Sequence, residues 1–220
     1  MFGSRTKPGE LAGPDDNVAR CDKYDWVFWV DADVFITNLT VAVTDVIEAA
    51  RRMRPNQDYP HFIASRNADL DTAFSFNTGT ALVRCSDLGL RLMNKMVELR
   101  VTHKDDTYIK GWEHQAALMI AYRDNEWVRD ITTFVPPKLF NSYPYRLGDD
   151  NGNLRSCGDP QGAECQKGYW TPGDFLIHFP GSGKKFVNKF LQEHPPPTWP
   201  GANDDFTPGR RRRRGRALLG

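Results

Sequence analysis

Asp31-Ala32-Asp33 stands directly after the run Trp26-Val27-Phe28-Trp29-Val30, which reads as a strand buried on both faces, at the point where that apolar segment stops. In extended backbone, residues two apart project to the same side, so both carboxylates can address one divalent cation. Hard oxygen donors with no cysteine beside them suit Mn2+ or Mg2+, cations that neutralise phosphate leaving groups. The tripeptide alone carries little weight, because 21 Asp in 220 residues produce about two such matches by chance and two occur, the other being Asp69-Leu70-Asp71. Context separates them. Two charges at the rim of an apolar strand cost several kcal/mol unless compensated, and a cation compensates both, whereas a turn or helix cap explains only one.

A second junction of the same kind is Phe175-Leu176-Ile177-His178-Phe179, which runs into Pro180-Gly181-Ser182-Gly183-Lys184-Lys185. A neutral imidazole can complete the coordination of a borderline cation, and a glycine turn followed by lysines lets backbone and ammonium groups approach phosphates. Taken alone, a histidine such as His178 is more often simply a hydrogen-bonded strand end. Asp69 and Asp71, in a polar stretch before Phe76, read either as partners for substrate hydroxyls or as a solvated loop. Trp112, Trp127, Tyr143, Tyr145 and Trp170 read as core aromatics before they read as stacking platforms for a substrate.

Short strands and amphipathic helices must position these groups. His61–Ala64, Phe76–Arg84, Thr133–Val135 and Phe175–Phe179 are predicted as further strands. Asn38 is expected to cap a helix carrying Val41, Val43, Val46, Ile47 and Ala50, not to bear a glycan through Asn38-Leu39-Thr40. Ser86 or Asp87 caps a second helix with Leu88, Leu92, Met96 and Leu99 on one face. Trp112–Arg123 is a third, largely buried helix, and Asn141–Tyr169 reads mostly as loop. The alternation makes this an α/β chain in which a sheet is interleaved with helices.

Met1–Arg20 reads as a flexible leader, 21–194 as the folded domain, and 195–220 as a Pro-, Gly- and Arg-rich tail without packed structure. The formal charge is +1, and Arg210–Arg214 with Arg216 lie in that tail, so the rest of the chain carries −5. With no basic face and no aromatics among these arginines, nucleic acid is not expected as a partner. No run approaches the ~18 apolar residues of a membrane span. Cys21, Cys85, Cys157 and Cys165 lack zinc spacing, and Cys157 with Cys165 are close enough in sequence for a disulfide or for two free thiols.

Four blocks follow one another in order: Trp29-Val30-Asp31-Ala32-Asp33-Val34-Phe35-Ile36-Thr37-Asn38, Phe76-Asn77-Thr78-Gly79-Thr80-Ala81-Leu82-Val83-Arg84, Asn141-Ser142-Tyr143-Pro144, and Gly173-Asp174-Phe175-Leu176-Ile177-His178-Phe179-Pro180-Gly181. Together they resemble the galactosyl-, mannosyl- and xylosyltransferase family of the secretory pathway. The related glycogenin-like family shares the His178, Gly181, Lys184 spacing. The resemblance implies a GT-A-like mixed sheet flanked by helices, lacking the first nucleotide-binding strands in this chain. It implies retaining transfer of a hexose or pentose from a UDP- or GDP-sugar to an oligosaccharide or glycoprotein acceptor, in the Golgi. It implies Mn2+ on Asp31, Asp33 and His178; Asp31, Asp71, Asn77, Gly79 and Gly181 at the substrates; and Lys184 at the diphosphate. Where the family has an acidic pair or Asp-Gln at a helix start, Glu113-His114-Gln115 stands here, so the catalytic role passes to these three. Two other readings use the same residues: a metal-dependent nucleotidyl- or phosphotransferase, and a non-catalytic carbohydrate-binding remnant of the fold.

Overall fold

The computed structural model describes residues 21, 23–55, 59–67, 76–144, 167–195 and 197. Asp69, Asp71, the Cys157/Cys165 pair, the leader and nearly all of the tail lie outside them.

Strands β1 (Trp26–Val30), β3 (Phe62–Arg66), β4 (Phe76–Arg84) and β5 (Thr132–Val135) form one sheet in the order β1-β4-β3-β5. β4 is antiparallel to both neighbours and β3 is parallel to β5, so the sheet is mixed. A short antiparallel pair, β2 (Val34–Ile36) and β6 (Leu176–His178), stands apart and sets Val34 opposite His178. The period-two alternation of a strand feeds two cores. Phe62, Ala64, Ala81 and Val83 face one side, under helices α2 (Asp87–Thr102), α3 (Thr107–Asp124) and α4 (Glu126–Ile131). Ile63, Leu82 and Val135 face the other, against Val46, Ile47 and Ala50 of helix α1 (Val43–Met53) and Phe140 of the short helix α5 (Pro137–Phe140). A third cluster joins Ile177 and Phe179 to Trp170 and to Phe190 of helix α6 (Val187–Glu193).

Two expectations are corrected. β1 is not buried on both faces: it edges the described sheet, and Val27, Trp29 and Val30 are exposed while Trp26 and Phe28 pack inward. Its apolar run looked like a central strand because aromatic and β-branched types do not reveal which face lacks cover. Asn38 is not a helix cap. Its Oδ1 accepts from the backbone N–H and the hydroxyl of Thr40, closing a local turn, and its Nδ2 donates to the Gly173 carbonyl. Helix α1 starts five residues later, where Asp45 accepts from the Ala42 N–H. Ser86 caps α2 as expected, accepting from Gly89 N–H at 3.2 Å. Cys85, just past β4, is disulfide-bonded to Cys21, a pairing the spacing did not suggest.

Candidate active site

The cluster forms where the sheet and the β2–β6 pair meet. Asp31 follows β1 directly, and its N–H donates to the Gly79 carbonyl at 2.8 Å, continuing the β1–β4 ladder by one residue. A turn then closes through Val34 N–H to Asp31 C=O. The Asp33 carbonyl accepts from Phe179 N–H, which ties it to the end of β6. His178 is the last residue of β6, and its N–H donates to the Ser142 carbonyl. Two segments 145 positions apart in sequence thus converge, and one donor atom from each of Asp31, Asp33 and His178 lies within 4.8 Å of the others. Ligands sharing a divalent cation stand roughly 3–4.5 Å apart, so these groups need shift only slightly to hold one. Two carboxylates and an imidazole make a donor set of the right hardness for Mn2+.

His178 is 2% exposed. Burial pushes its pKa below the ordinary value and keeps the ring neutral; the Asp33 and Asp31 charges oppose that push and Lys184 aids it. The ring Nε2 is 3.5 Å from Asp33, and Nδ1 is 3.0 Å from Asn141 Oδ1. Asn141 is fully buried, and its Nδ2 lies 3.2 Å from Asn77 Oδ1 and 2.8 Å from Tyr143 Oη. Asn77 Oδ1 also accepts the Gly79 N–H at 2.7 Å. Gly79 has a second role here: a Cβ at that position would overlap the His178 ring, meeting both ring nitrogens at 2.7 Å. Only glycine lets β4 carry the imidazole against its backbone.

Gly181 has φ +56, a conformation that favours glycine, and it opens a 3-10 turn, Gly181–Phe186. The turn brings Lys184 Nζ to 3.3 Å from Asp33 while leaving the lysine side chain largely exposed. On the opposite flank, Trp29 Nε1 donates to Asp31 Oδ1 at 3.1 Å, and His114 Nε2 approaches that same oxygen at 3.9 Å with its ring against Trp29.

The Glu113-His114-Gln115 triplet divides three ways. Glu113 has φ 43 and ψ −113 and breaks α3 into two helical pieces. Its exposed carboxylate pairs with Arg100 at 3.4 Å. His114 faces Asp31, and buried Gln115 accepts from the Thr78 N–H. Such backbone strain in a residue with a side chain is held only where surrounding packing over-determines it.

The residues from 22 to 185 match the model of the galactosyl transferase GMA12/MNN10 family. The chain belongs to that family. An uncharacterised alpha-1,2-galactosyltransferase of Schizosaccharomyces pombe is 29% identical over 179 residues, covering 71% of this chain and 47% of its own. The chain therefore spans about half the length of that curated relative. Among solved structures, it is similar to a glycosyltransferase involved in the glycosylation of the major capsid of PBCV-1, with a TM-score of 0.49 and 11% identity over 86% of this chain and 81% of that one. It is also similar to the glycosyltransferase GlyE of Streptococcus pneumoniae, with a TM-score of 0.43 and 16% identity over 75% and 37%.

Of the residues expected from the sequence, the structure assembles Asp31, Asp33, His178, Lys184, Asn77, Gly79, Gly181, His114 and Gln115 around one centre. Glu113 is turned toward Arg100. The reading from residue types missed Asn141 and Trp29, the two side chains that hold His178 and Asp31 in place. Both had a signal in the ordered blocks: Asn141 opens the Asn-Ser-Tyr-Pro block, and Trp29 opens the block that holds Asp31 and Asp33.

Proposed function

We propose that this site transfers a hexose or pentose from a nucleoside diphosphate sugar to a hydroxyl of a glycan acceptor, with retained configuration. The supporting observation is the convergence of Asp31, Asp33 and His178 in a chain of this family. These three would hold Mn2+ or Mg2+, which when bound supplies positive charge beside the diphosphate leaving group.

Lys184 is suited to the same end of the substrate. Its ammonium is exposed and pairs with Asp33, and it can exchange that carboxylate for a diphosphate oxygen as charge develops there. The anomeric C–O bond to the diphosphate breaks, the acceptor oxygen bonds to the carbon on the same face, and the acceptor's hydroxyl proton passes to the departing diphosphate. Asn77 and Gly79 form the wall behind His178. Among the triplet in α3, His114 is the residue set beside Asp31, and its imidazole is partly open to solvent and to an incoming hydroxyl. The reading carries with it a UDP- or GDP-sugar donor, an oligosaccharide or glycoprotein acceptor and a Golgi location. Among the described residues no helix is long and apolar enough to cross a membrane.

The test is a donor screen of the purified chain with Mn2+, wild type against Asp33→Ala, with the product linkage read by NMR. Transfer by the wild type that collapses in the variant is expected. Equal turnover in the two proteins removes the role given to the carboxylates, and release of pyrophosphate from nucleoside triphosphates with no sugar transfer would favour a nucleotidyltransferase instead.

A further inference from the structure

The hydrogen bonds behind His178 form a chain whose polarity is set at one end. The Gly79 backbone N–H can only donate, so the Asn77 atom that receives it is the carbonyl oxygen. That oxygen has no hydrogen, so the Asn141 atom 3.2 Å from it must be the NH2 group. The second amide proton of Asn141 reaches Tyr143 Oη at 2.8 Å, and the tyrosine hydroxyl donates onward to Asn67 Oδ1 at 3.3 Å, so both protons are used. The remaining polar atom of Asn141 is therefore its carbonyl oxygen, which lies 3.0 Å from His178 Nδ1. An acceptor there requires a proton on Nδ1.

We propose that Asn141 is a positioning residue: through the chain Gly79 N–H, Asn77, Asn141, it fixes His178 in the Nδ1–H form and so points the lone pair of Nε2 at Asp31 and Asp33. The inference rests on the functional reading above in taking those three groups as cation ligands. It adds which nitrogen binds and what selects it.

Nε2 faces the Asp33 carboxylate at 3.5 Å, a neighbour that by itself favours a proton on Nε2, so the Nδ1–H form is held against it by the buried amide. Three lone-pair donors then converge within 4.8 Å, an arrangement that repels itself until a cation enters. Asn141 is also fully buried, so water cannot substitute for either of its partners, and the amide cannot flip without setting two acceptors against each other at Asn77.

The experiment uses the whole chain, metal-free, with nitrogen-15 in its histidines. Long-range proton–nitrogen NMR at about pH 8, above the ordinary imidazole range, reports the tautomer of His178. Mn2+ titration followed by water-proton relaxation reports affinity separately. Wild type is expected as the Nδ1–H form. Asn141→Asp, which retains an acceptor for that proton, is expected to keep the tautomer. Asn141→Leu is expected to lose the bias and to bind Mn2+ roughly 10–100-fold more weakly. Asn77→Ala breaks the chain one step further out and serves if the leucine variant fails to fold; it is expected to weaken the bias in the same direction. An Nε2–H ring in the wild type overturns the proposal, as does an unchanged tautomer in every variant that folds. If the wild type shows the Nδ1–H form but takes up no Mn2+, the polarity chain stands and the metal reading above fails.

Discussion

At the residue scale, the site depends on an imidazole kept neutral inside the protein. Burial is the largest influence on His178, and it holds the folded pKa below the ordinary value of about 6.5. In the unfolded chain the same ring titrates near that ordinary value. Above it both states are neutral and pH has no effect through this group. As pH falls below it, the unfolded chain takes up a proton that the folded site still refuses, so the unfolded state binds more protons and stability declines. The decline is complete once pH drops beneath the folded pKa. Urea midpoints measured near pH 8 and near pH 5 are expected to fall further in the wild type than in His178→Gln. Equal falls would mean that other groups govern the acid limb.

At the element scale, β4 and β6 are set against each other at Gly79 and His178. The two strands belong to different sheets and share no ladder hydrogen bonds, so their approach is decided by side-chain volume. Gly79→Ala is expected to cost on the order of 1–3 kcal/mol, the usual range for overpacking a closed site. It is also expected to weaken Mn2+ binding, because the ring is displaced from the carboxylates. Chemical denaturation and metal titration on the same preparation check both parts. A variant with normal stability and normal affinity would show that the ring moves aside without consequence. β6 is braced from its other end as well: Asp174 accepts from Lys138, Ser142 and Thr171, joining the start of the strand to α5 and to the Asn141–Ser142 segment. The same segment receives the His178 N–H, so α5 and β6 hold the imidazole in common.

At the scale of the whole molecule, the Cys21–Cys85 bond spans 64 positions of sequence and closes a loop that contains β1, β2, α1, β3 and all of β4. Both metal-side carboxylates lie inside that loop. Crosslinks of this span restrict the unfolded chain and typically contribute about 2–4 kcal/mol. Reduction, or Cys21→Ser with Cys85→Ser, is expected to lower Tm by several degrees, read by scanning calorimetry, with transferase turnover retained below the new midpoint. An unchanged Tm would mean that the sheet holds without the bond. The pairing also fits an oxidising compartment, in line with a secretory glycosylation enzyme.

Strands β3, β4 and β5 and the buried faces of α1 and α2 were legible from residue types, because apolar spacing reports directly on which side of an element leaves water. Asp31, Asp33 and His178 were legible as candidates, because each sits where an apolar strand stops, and ordered sequence blocks linked them. The exposed face of β1, the role of Asn38 and the break at Glu113 were not. Each depends on what lies across from the residue: the solvent left over Val27, Trp29 and Val30 of β1, the Gly173 carbonyl beside Asn38, and Arg100 opposite Glu113. The sequence by itself determined which chemical groups are available and the local periodicity that carries them. Only the tertiary structure decided that two junctions 145 positions apart meet, that Cys21 reaches Cys85, and that a buried asparagine stands behind the histidine. Those outcomes come from contacts between distant segments, and local propensity holds no information about which distant segment will arrive.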